Sequence, residues 1–127
     1  MAYRVLVVDD SAAMRTFIRR VFDLSGLDVE KLYEAGDGQD ALALLELEPV
    51  DVILTDINMP GMNGEEFIQQ FAASGRTETT PIIVVSTDAT AARRERLLQL
   101  GARGYLPKPF APETLQGEIE RVLGKIQ

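Results

Sequence analysis

Short, unbroken apolar runs recur along this chain, and stretches of helical periodicity separate them. Val5-Leu6-Val7-Val8, Val52-Ile53-Leu54 and Ile82-Ile83-Val84-Val85 carry no polar residue on either face. A strand of that composition is buried on both sides, as in a parallel sheet covered by helices. Between the runs, Met14, Phe17, Ile18, Val21 and Phe22 recur at helical spacing, as do Ala41, Leu42, Leu44 and Leu45, then Phe67, Ile68 and Phe71, and last Leu115, Ile119, Val122 and Leu123. Punctuation agrees with the periodicity. Ser11 can cap the first helix and Gly26 lies near its end, Pro49 stops the second, and Pro112 opens the last.

The spacing predicts strands over Arg4–Val8, Glu30–Glu34, Val52–Thr55, Ile82–Val85 and Gly104–Leu106, each followed by a helix, the fourth helix running from Ala89 to Leu100. Five βα units joined by right-handed crossovers make an α/β doubly wound sheet, a three-layer sandwich of the flavodoxin-like kind. The pattern alone leaves strand order open; 2-1-3-4-5 is the order expected for five such units. The 127 residues suffice for a single domain with one core.

That order has a chemical consequence. Asp9 and Asp10 end the first strand and Asp56 ends the third. Neighbouring strands would bring these acids to one sheet edge, the ligand crevice of an open parallel sheet. Like charges about 4 Å apart repel by about 4 kcal/mol at an effective dielectric of about 20. Either a cation sits among them or their pKa values rise. A divalent ion with oxygen ligands suits the donors.

Composition removes other chemistries. The chain has no histidine and no cysteine, so Ser-His-Asp and Cys-His triads, histidine- or thiolate-ligated zinc and disulfides are all excluded. A net charge of −7 leaves no basic excess for a nucleic-acid backbone, so no direct nucleic-acid partner is expected. No apolar stretch reaches the roughly 18 residues of a membrane span, and no cationic leader precedes the first strand, so no membrane association and a cytoplasmic location are expected.

Two further residues fall on the acidic edge. Ser86 ends the fourth strand and Lys108 follows the fifth. Three acids, a hydroxyl and an ammonium suit metal-assisted phosphoryl transfer. A carboxylate oxygen of Asp56 can attack phosphorus, Lys108 can pair with a phosphoryl oxygen and Ser86 can donate a hydrogen bond to another.

With these residues in place, the chain resembles the receiver domain of two-component response regulators, the CheY-like family. The residues that carry the likeness are Asp9-Asp10-Ser11, the stretch from Ile53 through Asp56 to Gly64, Ser86, and Tyr105 ahead of Lys108-Pro109-Phe110. Residues 1–127 form one receiver domain under this likeness, with no output domain. The resemblance implies that Asp56 is the phosphoacceptor and that Asp9, Asp10, Asp56 and the backbone carbonyl of Asn58 arrange Mg²⁺. It implies that Ser86 and Lys108 contact the phosphoryl group and that the Lys108–Pro109 bond is cis. It further implies a switch, in which Ser86 moves toward the phosphoryl group and Tyr105 turns from an outward to an inward pose. The face of the fourth helix, fifth strand and fifth helix then changes its affinity for a target protein. The expected phosphodonor is a sensor histidine kinase or phosphotransfer protein. The expected state is a monomer or weak dimer. Such a domain assists its own phosphorylation and dephosphorylation without being a turnover enzyme.

The stretch from Asp10 to Arg15 is most similar to chemotaxis-type receivers. A phosphorelay intermediate and a receiver belonging to a larger regulator remain alternatives. A small Mg²⁺-dependent phosphatase working through an aspartyl phosphate is a third, but Asp56 lies on the third strand and no acid stands two positions after it. A flavodoxin-like nucleotide or flavin module lacks any phosphate-cradling glycine loop. Two residues depart from the family's common pattern. Thr87 stands where alanine is frequent, and its bulk is expected to slow small phosphodonors or hydrolysis. Pro107 removes a backbone donor at the end of the fifth strand. Arg93, Arg94 and Arg96 are open between a solvated face and a contact for an acidic partner.

Overall fold

The computed structural model describes residues 2–88 and 90–124. Among them the chain forms β1 (Tyr3–Val8), α1 (Ala12–Ser25), β2 (Val29–Ala35), α2 (Gly38–Leu47), β3 (Val52–Thr55), α3 (Gly64–Ala73), β4 (Ile82–Ser86), α4 (Ala91–Leu100), β5 (Gly104–Pro107) and α5 (Pro112–Gly124). All strand pairs are parallel, and the sheet order is β2-β1-β3-β4-β5, as expected.

The apolar runs divide their side chains between two cores. Leu6, Val8, Ile53, Ile82 and Val84 meet Ala41 and Leu45 of α2, Phe67, Ile68 and Phe71 of α3 and Leu97 of α4. Val5, Val7, Val52, Leu54, Ile83 and Val85 face the other way, onto Ile18, Val21 and Phe22 of α1 and Leu115, Ile119 and Val122 of α5. Strand side chains alternate with a period of two, so a run buried on both sides must be apolar throughout. This is why the runs show no alternation in the sequence.

Some boundaries differ from expectation. The fourth helix begins at Ala91, because the Thr90 backbone is extended and its side chain accepts the Arg93 amide as an N-cap. Ala89, where that helix was expected to start, lies outside the described residues. A 3₁₀ turn at Arg76–Glu78, which no periodicity marks, leads into β4. Phe17 fits the apolar stripe of α1 in sequence yet is 37% exposed, resting edge-on against Phe110.

The loop after β3 is fixed at both ends. Asn63 and Glu66 form a reciprocal capping box at the start of α3. The Gly64 amide donates to the Ile57 carbonyl at 2.8 Å. A Cβ on Gly64 would stand 2.3 Å from the Asp56 carbonyl oxygen, so only glycine lets α3 begin this close beneath Asp56. No helix among the described residues is long and apolar enough to cross a membrane.

Candidate functional site

The register of β1 and β3 brings the acids together. Val8 pairs with Thr55, so Asp9 and Asp56 are each one residue past the last matched pair. The Asp56 amide donates to the Val8 carbonyl at 2.9 Å, which extends the ladder by one bond. Asp9, Asp10 and Asp56 each present a carboxylate oxygen within 4.8 Å of the others. Asp9 is buried, Asp56 half-buried and Asp10 exposed. Asp9 Oδ1 accepts the Ser11 amide at 2.9 Å, and Asp56 Oδ1 accepts the Ile57 amide at 2.8 Å.

Lys108 reaches this cluster from β5. Its Nζ lies 3.3 Å from Asp9 Oδ2 and 3.4 Å from Asp56 Oδ1. Its own amide donates to the Ser86 carbonyl at 2.8 Å, and the following Lys108–Pro109 bond is cis. The electrostatic problem posed by converging acids is therefore met in both ways anticipated. A cation sits between two of them. The Asp56 carboxyl is also held above its ordinary range, chiefly by burial and further by the Asp9 charge, with Lys108 and the Ile57 amide opposing the rise.

The donor set fits magnesium. It offers hard carboxylate oxygens from three residues, one of them open to solvent, so water or a phosphate oxygen could complete a shell. Asn58, the expected carbonyl donor, lies two residues beyond Asp56 in the same loop and is exposed.

Ser86 ends β4, one strand away from Asp56, and is buried. Its Oγ accepts the Asp88 amide at 3.1 Å, an arrangement that leaves the hydroxyl proton available for donation. Thr87 is exposed and borders an apolar hollow of about 300 Å³ with Met14, Phe17, Lys108 and Pro109.

Tyr105 points inward. Only 7% of it is exposed, and it packs in the core that also holds Val84, Leu97 and Ala102. Its hydroxyl is buried without a hydrogen-bond partner. A buried unpaired hydroxyl costs about 1–3 kcal/mol, while burying an aromatic ring returns about 1.5–3 kcal/mol. The missing hydrogen bond therefore offsets part of what burying the ring contributes. The Tyr105 amide, on the outer edge of the sheet, donates to Glu118 Oε2 at 2.8 Å. That contact ties α5 to the edge strand and satisfies a donor that pairing leaves free.

The arginines of α4 resolve into two kinds. Arg93 and Arg96 both pair with Glu65 of α3, at 3.2 and 2.9 Å. Arg94 is exposed. Two residues that the sequence reading did not single out also bear on the acids. Arg15 of α1 donates to the Asp9 carbonyl at 2.6 Å, and Glu34 of β2 accepts from Arg15 and Arg19. The signal was a pair of arginines one helical turn apart, and nothing in the pattern said which face β2 would meet.

Comparison with known proteins agrees with this geometry. Residues 5–120 match the family model of the response regulator receiver domain. The chain is 40% identical to a chemotaxis protein CheY homolog of Campylobacter jejuni over 122 residues, covering 95% of this chain and 92% of that one. It is 38% identical to chemotaxis protein CheY1 of Helicobacter pylori, covering 95% and 97%. The structure of the chemotaxis response regulator CheY4 of Vibrio cholerae superposes with a TM-score of 0.84 at 35% identity, covering 97% of this chain and 100% of that one.

Proposed function

The chain belongs to the response regulator receiver family, a CheY-like group of two-component signalling proteins, and on that premise we propose that Asp56 accepts a phosphoryl group from a histidine kinase or phosphotransfer protein. The observation that carries this proposal is the Asp56 carboxylate, half-buried at a sheet edge within reach of Lys108 Nζ and beside two further acids.

A carboxylate oxygen of Asp56 attacks phosphorus in line. The phosphorus–nitrogen bond of the donor's phosphohistidine breaks, and the imidazole leaves with the bonding electrons and takes up a proton. Asp9, Asp10, Asp56 and the Asn58 carbonyl would hold Mg²⁺, whose chemistry when bound is to neutralise charge shared by the acceptor and phosphoryl oxygens. Lys108 turns from the two carboxylates to a phosphoryl oxygen. The Ser86 hydroxyl donates to another. Because Asp56 goes from one negative charge to about two, these contacts strengthen only in the phosphorylated state. Differential contacts of this kind are what shift a conformational equilibrium.

Ser86, once drawn toward the phosphoryl group, holds Tyr105 in the inward pose it already takes here, and the face of α4, β5 and α5 then binds a target protein. The named relatives are chemotaxis proteins, which supports a chemotaxis-type output. The test is a beryllofluoride titration with Mg²⁺, followed by amide spectra. Resonances of Asp56, Ser86 and Tyr105 are expected to move together. A titration that leaves all three unmoved would refute the switch.

Thr87 sets the rate rather than the outcome. Thr87→Ala is expected to raise phosphorylation by a small phosphodonor, or the hydrolysis that follows, several-fold, a difference of about 1 kcal/mol in barrier. Unchanged rates for both steps would mean that the Thr87 rim does not restrict access.

A further inference from the structure

The geometry points to Arg15 as a positioning residue for the cation site, acting through the backbone between Asp9 and Asp10; this rests on the magnesium reading of the acid cluster. Arg15 Nη1 donates to the Asp9 carbonyl oxygen at 2.6 Å, and Arg15 Nε donates to Glu34 Oε1 at 2.9 Å. Arg19 Nη2 donates to the other Glu34 oxygen at 2.7 Å. Glu34 stands on β2 opposite Val7, so the guanidinium is anchored to the sheet on one side and to the Asp9–Asp10 peptide on the other. The hydrogen bond from Arg19, with that from Arg15, holds the Glu34 carboxyl below its ordinary range, and the anchor stays ionised.

The neighbouring peptide planes have other restraints. The Asp9 amide donates to the Ala35 carbonyl at 3.0 Å, and the Ser11 amide donates to Asp9 Oδ1 at 2.9 Å. The carbonyl of the peptide between Asp9 and Asp10 is the one that Arg15 holds. Rotation of that plane would swing Asp10 away from Asp9 and Asp56. Magnesium demands near-ideal octahedral geometry, so a ligand allowed to swing lowers its affinity. An arginine suits the task because its rigid fork serves carbonyl and carboxylate at once, which a lysine cannot reproduce.

Charge and position make opposite predictions for Arg15→Met. Removing a positive charge beside the acids should tighten Mg²⁺ binding; losing the restraint on Asp10 should weaken it. We therefore expect calorimetric titration of the unphosphorylated protein with Mg²⁺ to show about tenfold weaker binding in Arg15→Met, since losing a partner of a metal ligand typically costs about 10–100-fold. Arg15→Lys keeps the charge and only part of the fork, and is expected to weaken binding by at least about threefold on the same grounds. With a small phosphodonor, the half-saturating Mg²⁺ concentration should rise in step, while the phosphorylation rate at saturating Mg²⁺ stays within about twofold of wild type. Binding in Arg15→Met as tight as in wild type, or tighter, overturns the inference. So does a lower saturating rate with the half-saturating concentration unchanged. A wild-type protein that takes up no Mg²⁺ overturns the cation reading, and the inference with it.

Discussion

Asp56→Asn is expected to abolish phosphorylation and, in the absence of a divalent cation, to make the protein more stable than wild type. The first effect follows from chemistry: a carboxamide has no nucleophilic oxygen anion to attack phosphorus. The second follows from electrostatics. The folded-state pKa of Asp56 is raised, mainly by burial, so folding favours its protonated form. That contribution is fully present below the carboxyl's ordinary value of 3.8 and is lost as pH rises through the folded pKa. At neutral pH the ionised carboxylate therefore works against the fold, and asparagine removes the cost while keeping an acceptor for the Ile57 amide. The gain should be about 1 kcal/mol, which for a domain of this size raises Tm by a few degrees. It should shrink as pH falls through the raised folded pKa and Asp56 takes up its proton. Chemical denaturation in EDTA at several pH values measures it. A variant less stable than wild type at neutral pH would mean that Asp56 is held by favourable contacts and is not a poised acid.

Lys108→Met is the complementary experiment, with the opposite sign. Lys108 is the cation found within reach of both Asp9 and Asp56 among the described residues, and it is itself only 13% exposed. Removing one member of a fully buried charge pair costs about 3–5 kcal/mol; this site borders solvent, so about 2 kcal/mol is expected in cation-free buffer. The methionine keeps the apolar stem and its packing, so the loss reports charge. Because Mg²⁺ would supply the missing positive charge, saturating Mg²⁺ should close most of the gap between variant and wild type. Acidification should also narrow it, since a protonated Asp56 needs no partner. If the variant is as stable as wild type in EDTA, Lys108 does not neutralise the cluster. If Mg²⁺ leaves the gap unchanged, the ion and the ammonium do not answer the same charge.

The sequence made the sheet legible for a physical reason. A strand buried on both faces must be apolar at every position, and Val5–Val8 and Ile82–Val85 are. The acids were legible because residues just past such strands fall at one edge once order 2-1-3-4-5 is granted. Contacts made across elements were hidden. Nothing in α1 says that Arg15 meets Glu34 and the Asp9 carbonyl, because one partner lies on β2 and the other just past β1. Nothing in α4 says that Arg93 and Arg96 share Glu65, which turns two of three open arginines into an internal clasp. Phe17 misled for the same reason. Its spacing is that of a core residue, and only the placement of Phe110 and Pro109 leaves it at a surface hollow. The pose of Tyr105 was hidden too: the resemblance implied an outward ring before phosphorylation, and packing in the core with Val84, Leu97 and Ala102 places it inward.

The most direct test of the central claim is to find where the phosphoryl group goes. The wild-type protein would be phosphorylated with Mg²⁺ and a small phosphodonor, the acyl phosphate trapped by borohydride reduction, and the modified residue identified by peptide mass spectrometry. One modification, at Asp56 and dependent on Mg²⁺, is the predicted result. Modification at Asp9, Asp10 or Ser86 instead, or none at all in a folded protein, would contradict it.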